Sequence, residues 1–193
     1  MSELVTSTPT ETSKDYLTYE DYLTFPDNDG IKKEIIEGEL FMSPAPSIKH
    51  QRILRELSML FHNFVKQNKV GEIFFAPCDV VFSDINIMQP DIIFISKNNY
   101  EILTDLNIQG APDLIVEILS PSSSETDRIY KKHIYERFGV KEYWIVDQDK
   151  GASESGVRGG GKYRQLCKAG KKDTVKSQLL EGLQIDLSSI FES

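Results

Sequence analysis

From Ser47 to Gln67 the apolar residues Ile53, Leu54, Leu57, Leu60, Phe61, Phe64 and Val65 recur at the spacing of one helical face. Pro44 and Pro46 keep the preceding stretch extended and Ser47 can cap, so the clearest helix of the chain is predicted there. A shorter helix is predicted from Thr18, which can cap Tyr19-Glu20-Asp21-Tyr22-Leu23 and is followed by Pro26 and Gly30. Glu34 to Met42 reads as two strand-like arms meeting at Glu37-Gly38, a tight hairpin. Strands are expected over Glu72–Phe82 and Asp91–Ser96, joined by the polar run at Ser83-Asp84-Ile85-Asn86. Leu114-Ile115-Val116-Glu117-Ile118-Leu119 is apolar on both faces except for one carboxylate, the pattern of a strand inside a sheet.

Ser122, Ser123 and Ser124 precede a second helix over Glu125–Phe138, closed by Gly139, and Glu142–Asp147 is a further buried strand. Strand, helix, strand at this length is a crossover unit, so the two strands should be parallel. Lys150 to Lys162 is rich in Gly and Ser without periodicity and reads as a mobile loop. A strand over Tyr163–Cys167 and apolar positions at Ile185, Leu187, Ile190 and Phe191 complete the pattern. The fold class this predicts is α/β, with residues 16–193 as a single domain behind a flexible segment 1–15; 193 residues suffice for one real core.

Composition narrows the class. Hydrophobic residues make up 39% and charged residues 27%, as in a soluble globular protein. No apolar run is long enough for a membrane span, and Met1 to Asp15 resembles neither a signal nor a transit peptide, so the expected address is the cytoplasm. Cys78 and Cys167 are far apart and form no zinc or disulfide pattern. The net charge of −8 argues against a protein that coats nucleic acid, because such binding rests on neutralising phosphates. A local acidic pocket with a basic rim would still be compatible with it.

The candidate chemistry lies in acids at costly places. Asp91 opens an apolar strand and Glu117 sits inside the most apolar one. Burying an ionised carboxylate is expensive unless it is paired or bound to a metal, and two such acids suggest a shared hard cation such as Mg²⁺ or Mn²⁺. That ion could activate a water and stabilise charge on a phosphodiester. The plain alternative is that each acid pairs with an Arg or Lys. Two residues past Glu117 stands Leu119, so no lysine follows on the strand. Lys131, four residues after Asp127, borders the packing face of the second helix and could reach back to Glu117; spacing alone favours an exposed ion pair. Glu34, Glu37 and Glu39 could add one carboxylate, though hairpin acids are usually solvated. His50 with Gln51, in the first helical turn, could contact phosphate, while a lone histidine is more often structural. Pro112-Asp113 reads as the start of a strand. Ser120-Pro121-Ser122 lacks a nucleophile elbow, and Gly159-Gly160-Gly161 lacks the Lys-Ser/Thr of a phosphate loop.

Five stretches carry a resemblance: EIIEGELFMSPAPS (34–47), FFAPCDVVFSD (74–84), QPDIIFIS (89–96), GAPDLIVEILSPSS (110–123) and YERFGVKEYWIVD (135–147). Through them the chain resembles the Uma family of bacterial restriction-endonuclease-like proteins, in the PD-(D/E)XK nuclease superfamily. The resemblance implies a mixed central β-sheet flanked by helices, with a metal, Mg²⁺ or Mn²⁺, at Asp91 and Glu117 and an added acid at Glu34. It also implies that Lys131 replaces the lysine absent after Glu117. The expected function is then metal-dependent hydrolysis of DNA by Glu34, Asp91, Glu117 and Lys131, with a symmetric homodimer suited to cutting both strands. Two other readings stand beside it: a catalytically silent nuclease-like module that binds nucleic acid or protein, and a small-molecule phosphodiesterase. Similar proteins carry an apolar strand where this chain has ASESGVRGGG, which leaves the C-terminal sheet edge open.

Overall fold

The computed structural model describes residues 16–26, 30–120 and 126–192. Segment 1–15, the serines at 122–124 and the expected helix start at Glu125 lie outside them. A six-stranded sheet runs through the middle, in the order β11-β10-β9-β8-β6-β3. Its members are β3 (Gly71–Phe75), β6 (Ile92–Ser96), β8 (Leu114–Leu119), β9 (Glu142–Asp147), β10 (Ala152–Gly159) and β11 (Lys162–Gly170). β8 and β9 are parallel and the other neighbours antiparallel, so the sheet is mixed and the predicted crossover is present.

Period-two alternation sends the strands' side chains to two cores. Ile92, Phe94, Leu114, Val116, Ile118, Trp144 and Val146 pack against Ile53, Leu57, Phe61 and Val65 of helix α2 (Ile48–Asn68). Ile93, Ile95, Ile115, Leu119, Tyr143 and Ile145 point the other way, against Ile134 and Tyr135 and a second sheet. That five-stranded sheet has the order β2-β1-β5-β4-β7, formed by β1 (Lys32–Ile36), β2 (Glu39–Ser43), β4 (Val80–Ser83), β5 (Asn86–Met88) and β7 (Ile108–Gln109). Small pieces complete the chain: α1 (Tyr19–Tyr22), the pair β12 (Thr174–Lys176) and β13 (Gln184–Asp186), and α4 (Ser188–Phe191). The mixed α/β architecture expected from the sequence is thus present.

The local signals act as read. Thr18 and Asp21 form a reciprocal capping box at α1, and Ser47 accepts from the His50 amide at the start of α2. Glu37 and Gly38 both have positive φ, 53° and 81°, the requirement of a two-residue hairpin turn whose backbone twist matches the strands. Residues 126–131 form a π-helical turn that runs into α3 (Lys132–Phe138), which Gly139 closes in the left-handed conformation.

Two expectations fail. Glu72–Phe82 is not one strand: it ends at Phe75 and resumes as β4 in the other sheet. Pro77 has no N–H for a ladder, so the chain leaves one sheet there and enters the next. The stretch read as a loop, Lys150 to Lys162, instead forms β10, paired with β9 from Ala152↔Asp147 to Val157↔Glu142 and turning at Gly160-Gly161 into β11. Its inward positions are serines, Ser153 and Ser155, both buried. The backbone ladder builds this strand, with no help from apolar periodicity.

Candidate active site

Asp91 immediately precedes β6, and the antiparallel register Ile92↔Val116 carried one step further sets it opposite Glu117 on β8. Both residues line a cleft of about 660 Å³. Glu34, Lys32, His50, Gln89, Asp127 and Gln148 also line this cleft. The four carboxylates Glu34, Asp91, Glu117 and Asp127 thus come from four different elements and are all buried.

Lys131 lies at their centre and is only 1% exposed. Its Nζ is 2.9 Å from Glu34 Oε1, 3.2 Å from Glu117 Oε1 and 3.1 Å from Asp127 Oδ1. The i,i+4 partner expected on the surface is therefore real but buried, and the lysine reaches the strand glutamate as well. Its three N–H groups meet three acids. The ammonium loses hydration by burial, yet the charges of Asp127, Glu117 and Glu34 outweigh this and hold its pKa well above the ordinary value.

The acids differ in how they are held. Glu34 Oε1 also accepts the Gln89 amide at 2.8 Å and lies 3.4 Å from Lys32 Nζ. Burial alone would raise its pKa, but Lys131 and Lys32 keep it below the usual value. Asp91 Oδ2 accepts the Ile118 amide at 2.7 Å and lies 3.3 Å from His50 Nε2; these contacts and Lys32 overcome burial and lower its pKa. His50 is driven the other way: burial disfavours its imidazolium, and Asp91 more than compensates, so its pKa rises. Glu117 accepts from Tyr135 Oη at 2.6 Å and from Lys131, yet burial and the charges of Asp127 and Asp91 push its pKa up to about 8. With so many acids around Lys131 and the half-buried Lys32, Glu117 is the one left short of positive charge.

Several members of this cluster were weak or silent in the sequence. Lys32 stands two residues before Glu34, on the same face of β1, a period-two signal that was available. Asp127 appeared only as a helix partner, and His50 as a lone histidine. Tyr135, one turn beyond Lys131, gave no signal of its own. Gln148, which donates to the Leu119 carbonyl at 2.7 Å while its own Oε1 is buried without a partner, gave no signal. Two sequence candidates lie elsewhere: Glu37 pairs with Arg137 at the surface, and Glu39 is exposed at the hairpin. Asp113 is structural, as read: buried, it accepts the Ser96 amide at 2.7 Å and pairs with Lys141.

A mixed sheet of this topology, with four buried acids and a buried lysine gathered beside one cleft, defines an α/β fold with a strongly charged interior. The crystal structure of a putative nuclease from Anabaena variabilis ATCC 29413 matches it with a TM-score of 0.75 at 22% identity, over 91% of this chain and 98% of that one. The chain belongs to the Uma2 family, described as putative restriction endonuclease, whose model matches residues 19–188. No curated protein matches it. Among the described residues no helix is long and apolar enough to cross a membrane.

Proposed function

We propose that this chain is a metal-dependent nuclease that hydrolyses DNA phosphodiester bonds in the cleft between Asp91, Glu117 and Glu34. The observation that carries the reading is the gathering of buried carboxylate: of four buried acids lining the cleft, three share the single buried ammonium of Lys131, and burial with the charges of Asp127 and Asp91 pushes Glu117 up to about 8. A buried acid of this kind is a stability cost that a bound divalent ion would remove.

The donor set fits Mg²⁺ or Mn²⁺. Among the described residues no three His, Cys, Asp or Glu side chains gather into a site of their own, whereas Mg²⁺ is commonly held by one or two carboxylates with water and phosphate oxygens completing the shell. Asp91 and Glu117 would hold it, through the oxygens not engaged by Ile118, His50, Tyr135 and Lys131. When bound, the ion supplies an acidified water and charge stabilisation at the phosphate. The chain's own residues do the rest. His50 and the Ile118 amide fix the Asp91 carboxylate. Tyr135 and Lys131 fix that of Glu117. Lys131 stays an ammonium across the physiological range, so it acts by charge, orienting the nucleophile or balancing phosphate oxygens, and does not serve as a base. Glu34, held by the Gln89 amide, acts as a further ligand or orients the water.

The test is cleavage of plasmid and single-stranded DNA with Mg²⁺ or Mn²⁺ by wild type beside Asp91→Ala and Glu117→Ala. Metal-dependent cleavage lost in both variants supports the assignment. An inactive wild type that also binds no metal by calorimetry overturns it. A second reading, a silent binding module, draws on the acidic net charge of −8; it predicts DNA binding without cleavage and no effect of Glu117→Ala.

A further inference from the structure

Helix α2 carries five basic residues, Lys49, Arg52, Arg55, Lys66 and, at its C-cap, Lys69, against a single acid, Glu56, in a chain whose net charge is −8. Positive charge is therefore concentrated on this element while the remainder is more acidic than the total suggests. The positions are also ordered. Arg52, Arg55, Met59, His62, Lys66 and Lys69 are all exposed and follow one another at intervals of three and four, the spacing of a single stripe. They lie opposite the buried line of Ile53, Leu57, Phe61 and Val65.

This stripe begins at the cleft. Gln51 and Leu54 line the cleft, and His50, one residue earlier, touches Asp91 at 3.3 Å. Gln51 and Arg55 are four apart and hence neighbours on the helix surface, so the cleft wall continues into the stripe without a break. From Gln51 to Lys69 a helix rises about 27 Å, at about 1.5 Å per residue. The cations are little occupied: among the described residues Arg55 pairs with its neighbour Glu56, and Lys49 with the exposed Asp149. Arg52, Lys66 and Lys69 have no ion pair among the described residues.

A second basic run, Lys162, Arg164 and Lys168, lies on the edge strand β11. Lysines there have an ordinary purpose, since they keep an unpaired sheet edge from joining another chain. Helix α2 is not an edge, and nothing in its packing requires cations along its outer face.

We propose that the outer face of α2, from Gln51 through Arg55 and His62 to Lys69, is the track along which the sugar-phosphate backbone of duplex DNA lies as it leaves the cleft. The inference rests on the nuclease reading and adds where the polymer is held. It also accounts for an acidic protein acting on a polyanion: the attraction is local, and the acidic remainder repels DNA from other faces.

Fluorescence anisotropy of a labelled duplex with Ca²⁺ replacing Mg²⁺, at salt from about 50 to 200 mM, measures the track through the salt dependence of affinity. Each of Arg52→Ala, Arg55→Ala and Lys66→Ala should lower the slope of log Kd against log salt by about 0.9. The triple variant R52E/R55E/K66E should bind roughly tenfold or more weakly. K162A/R164A/K168A on β11 should leave the slope unchanged. Metal-dependent hydrolysis of bis-p-nitrophenyl phosphate, which touches only the cleft, should be the same in the triple variant and wild type, while plasmid cleavage falls with binding. A wild type that cuts both substrates, with α2 variants that bind the duplex as it does, overturns the track and leaves the nuclease reading intact. Loss of all metal-dependent hydrolysis in wild type overturns the nuclease reading and the track with it.

Discussion

Replacing Glu117 by glutamine should stabilise the metal-free protein increasingly as the pH rises from 5 to 8. The carboxyl of Glu117 is pushed up to about 8 from an ordinary value of 4.5, so in this window the folded chain binds a proton that the unfolded chain has released. Stability then falls as pH rises, because the native state holds more protons than the unfolded one. At pH 7 the cost is on the order of 3 kcal/mol, from roughly 1.4 kcal/mol for each unit separating the ordinary value from the assay pH. Glutamine needs no proton. Its carbonyl can still accept from Tyr135 Oη and Lys131 Nζ, the partners at 2.6 and 3.2 Å.

The assay is urea unfolding of wild type and E117Q in chelator at several pH values. The difference between them reports Glu117 together with the groups it interacts with, Lys131 and Asp91 among them, while more distant titrations are common to both. The variant should gain on wild type by a few kcal/mol between pH 5 and 8 and no further above that. Adding Mg²⁺ should stabilise wild type at the upper end and leave E117Q unmoved, because an ion replaces the proton only where a carboxylate can hold it. Parallel curves from pH 5 to 8 would show that Glu117 is ionised without a metal, and the surplus-charge argument would fall.

Other perturbations separate stability from chemistry. Lys131→Met keeps the apolar stem but strands three carboxylates; it should cost about 3–5 kcal/mol in chelator at pH 7, read by denaturant midpoint, and abolish cleavage. Asp113→Ala should cost about 1–3 kcal/mol by leaving the Ser96 amide unpaired. Burial raises the Asp113 pKa but Lys141 and Ser96 lower it more, so this contribution is full above the ordinary 3.8 and vanishes as pH falls through the depressed value; acid titration of the variant's deficit checks it. Ser153→Ala removes a buried hydroxyl that has no partner and should raise the thermal midpoint, by about 1 kcal/mol of stability; a lower midpoint would mean that the hydroxyl is satisfied.

The fold was legible wherever the apolar pattern matches an element's burial. α2 buries one face at the helical period, β6, β8 and β9 are short apolar runs buried on both faces, and Ser47, Glu37-Gly38 and Gly139 mark a helix start, a hairpin turn and a helix end. β10 was illegible because its inward residues are serines, whose burial is imposed by the flanking β9 and β11 and not by their own hydrophobicity. The break at Pro77 was visible in the sequence, but which sheet each half joins depends on partners remote in the chain.

The site divides along a similar line. Glu117 and Asp91 were legible because an acid in an apolar strand is costly wherever the rest of the chain goes. Lys131 was ambiguous because an acid and a lysine four apart describe a solvated surface pair and a buried charge cluster equally well. What separates the two is whether further acids arrive from outside the helix. Here Glu34 comes from β1 in the other sheet and Glu117 from β8, so three carboxylates converge on one ammonium. One cation cannot neutralise three acids, and Asp91 stands beside them. The lysine therefore makes the cluster tolerable without balancing it, and the imbalance settles on Glu117, whose carboxyl is pushed up to about 8 by burial and by the charges of Asp127 and Asp91.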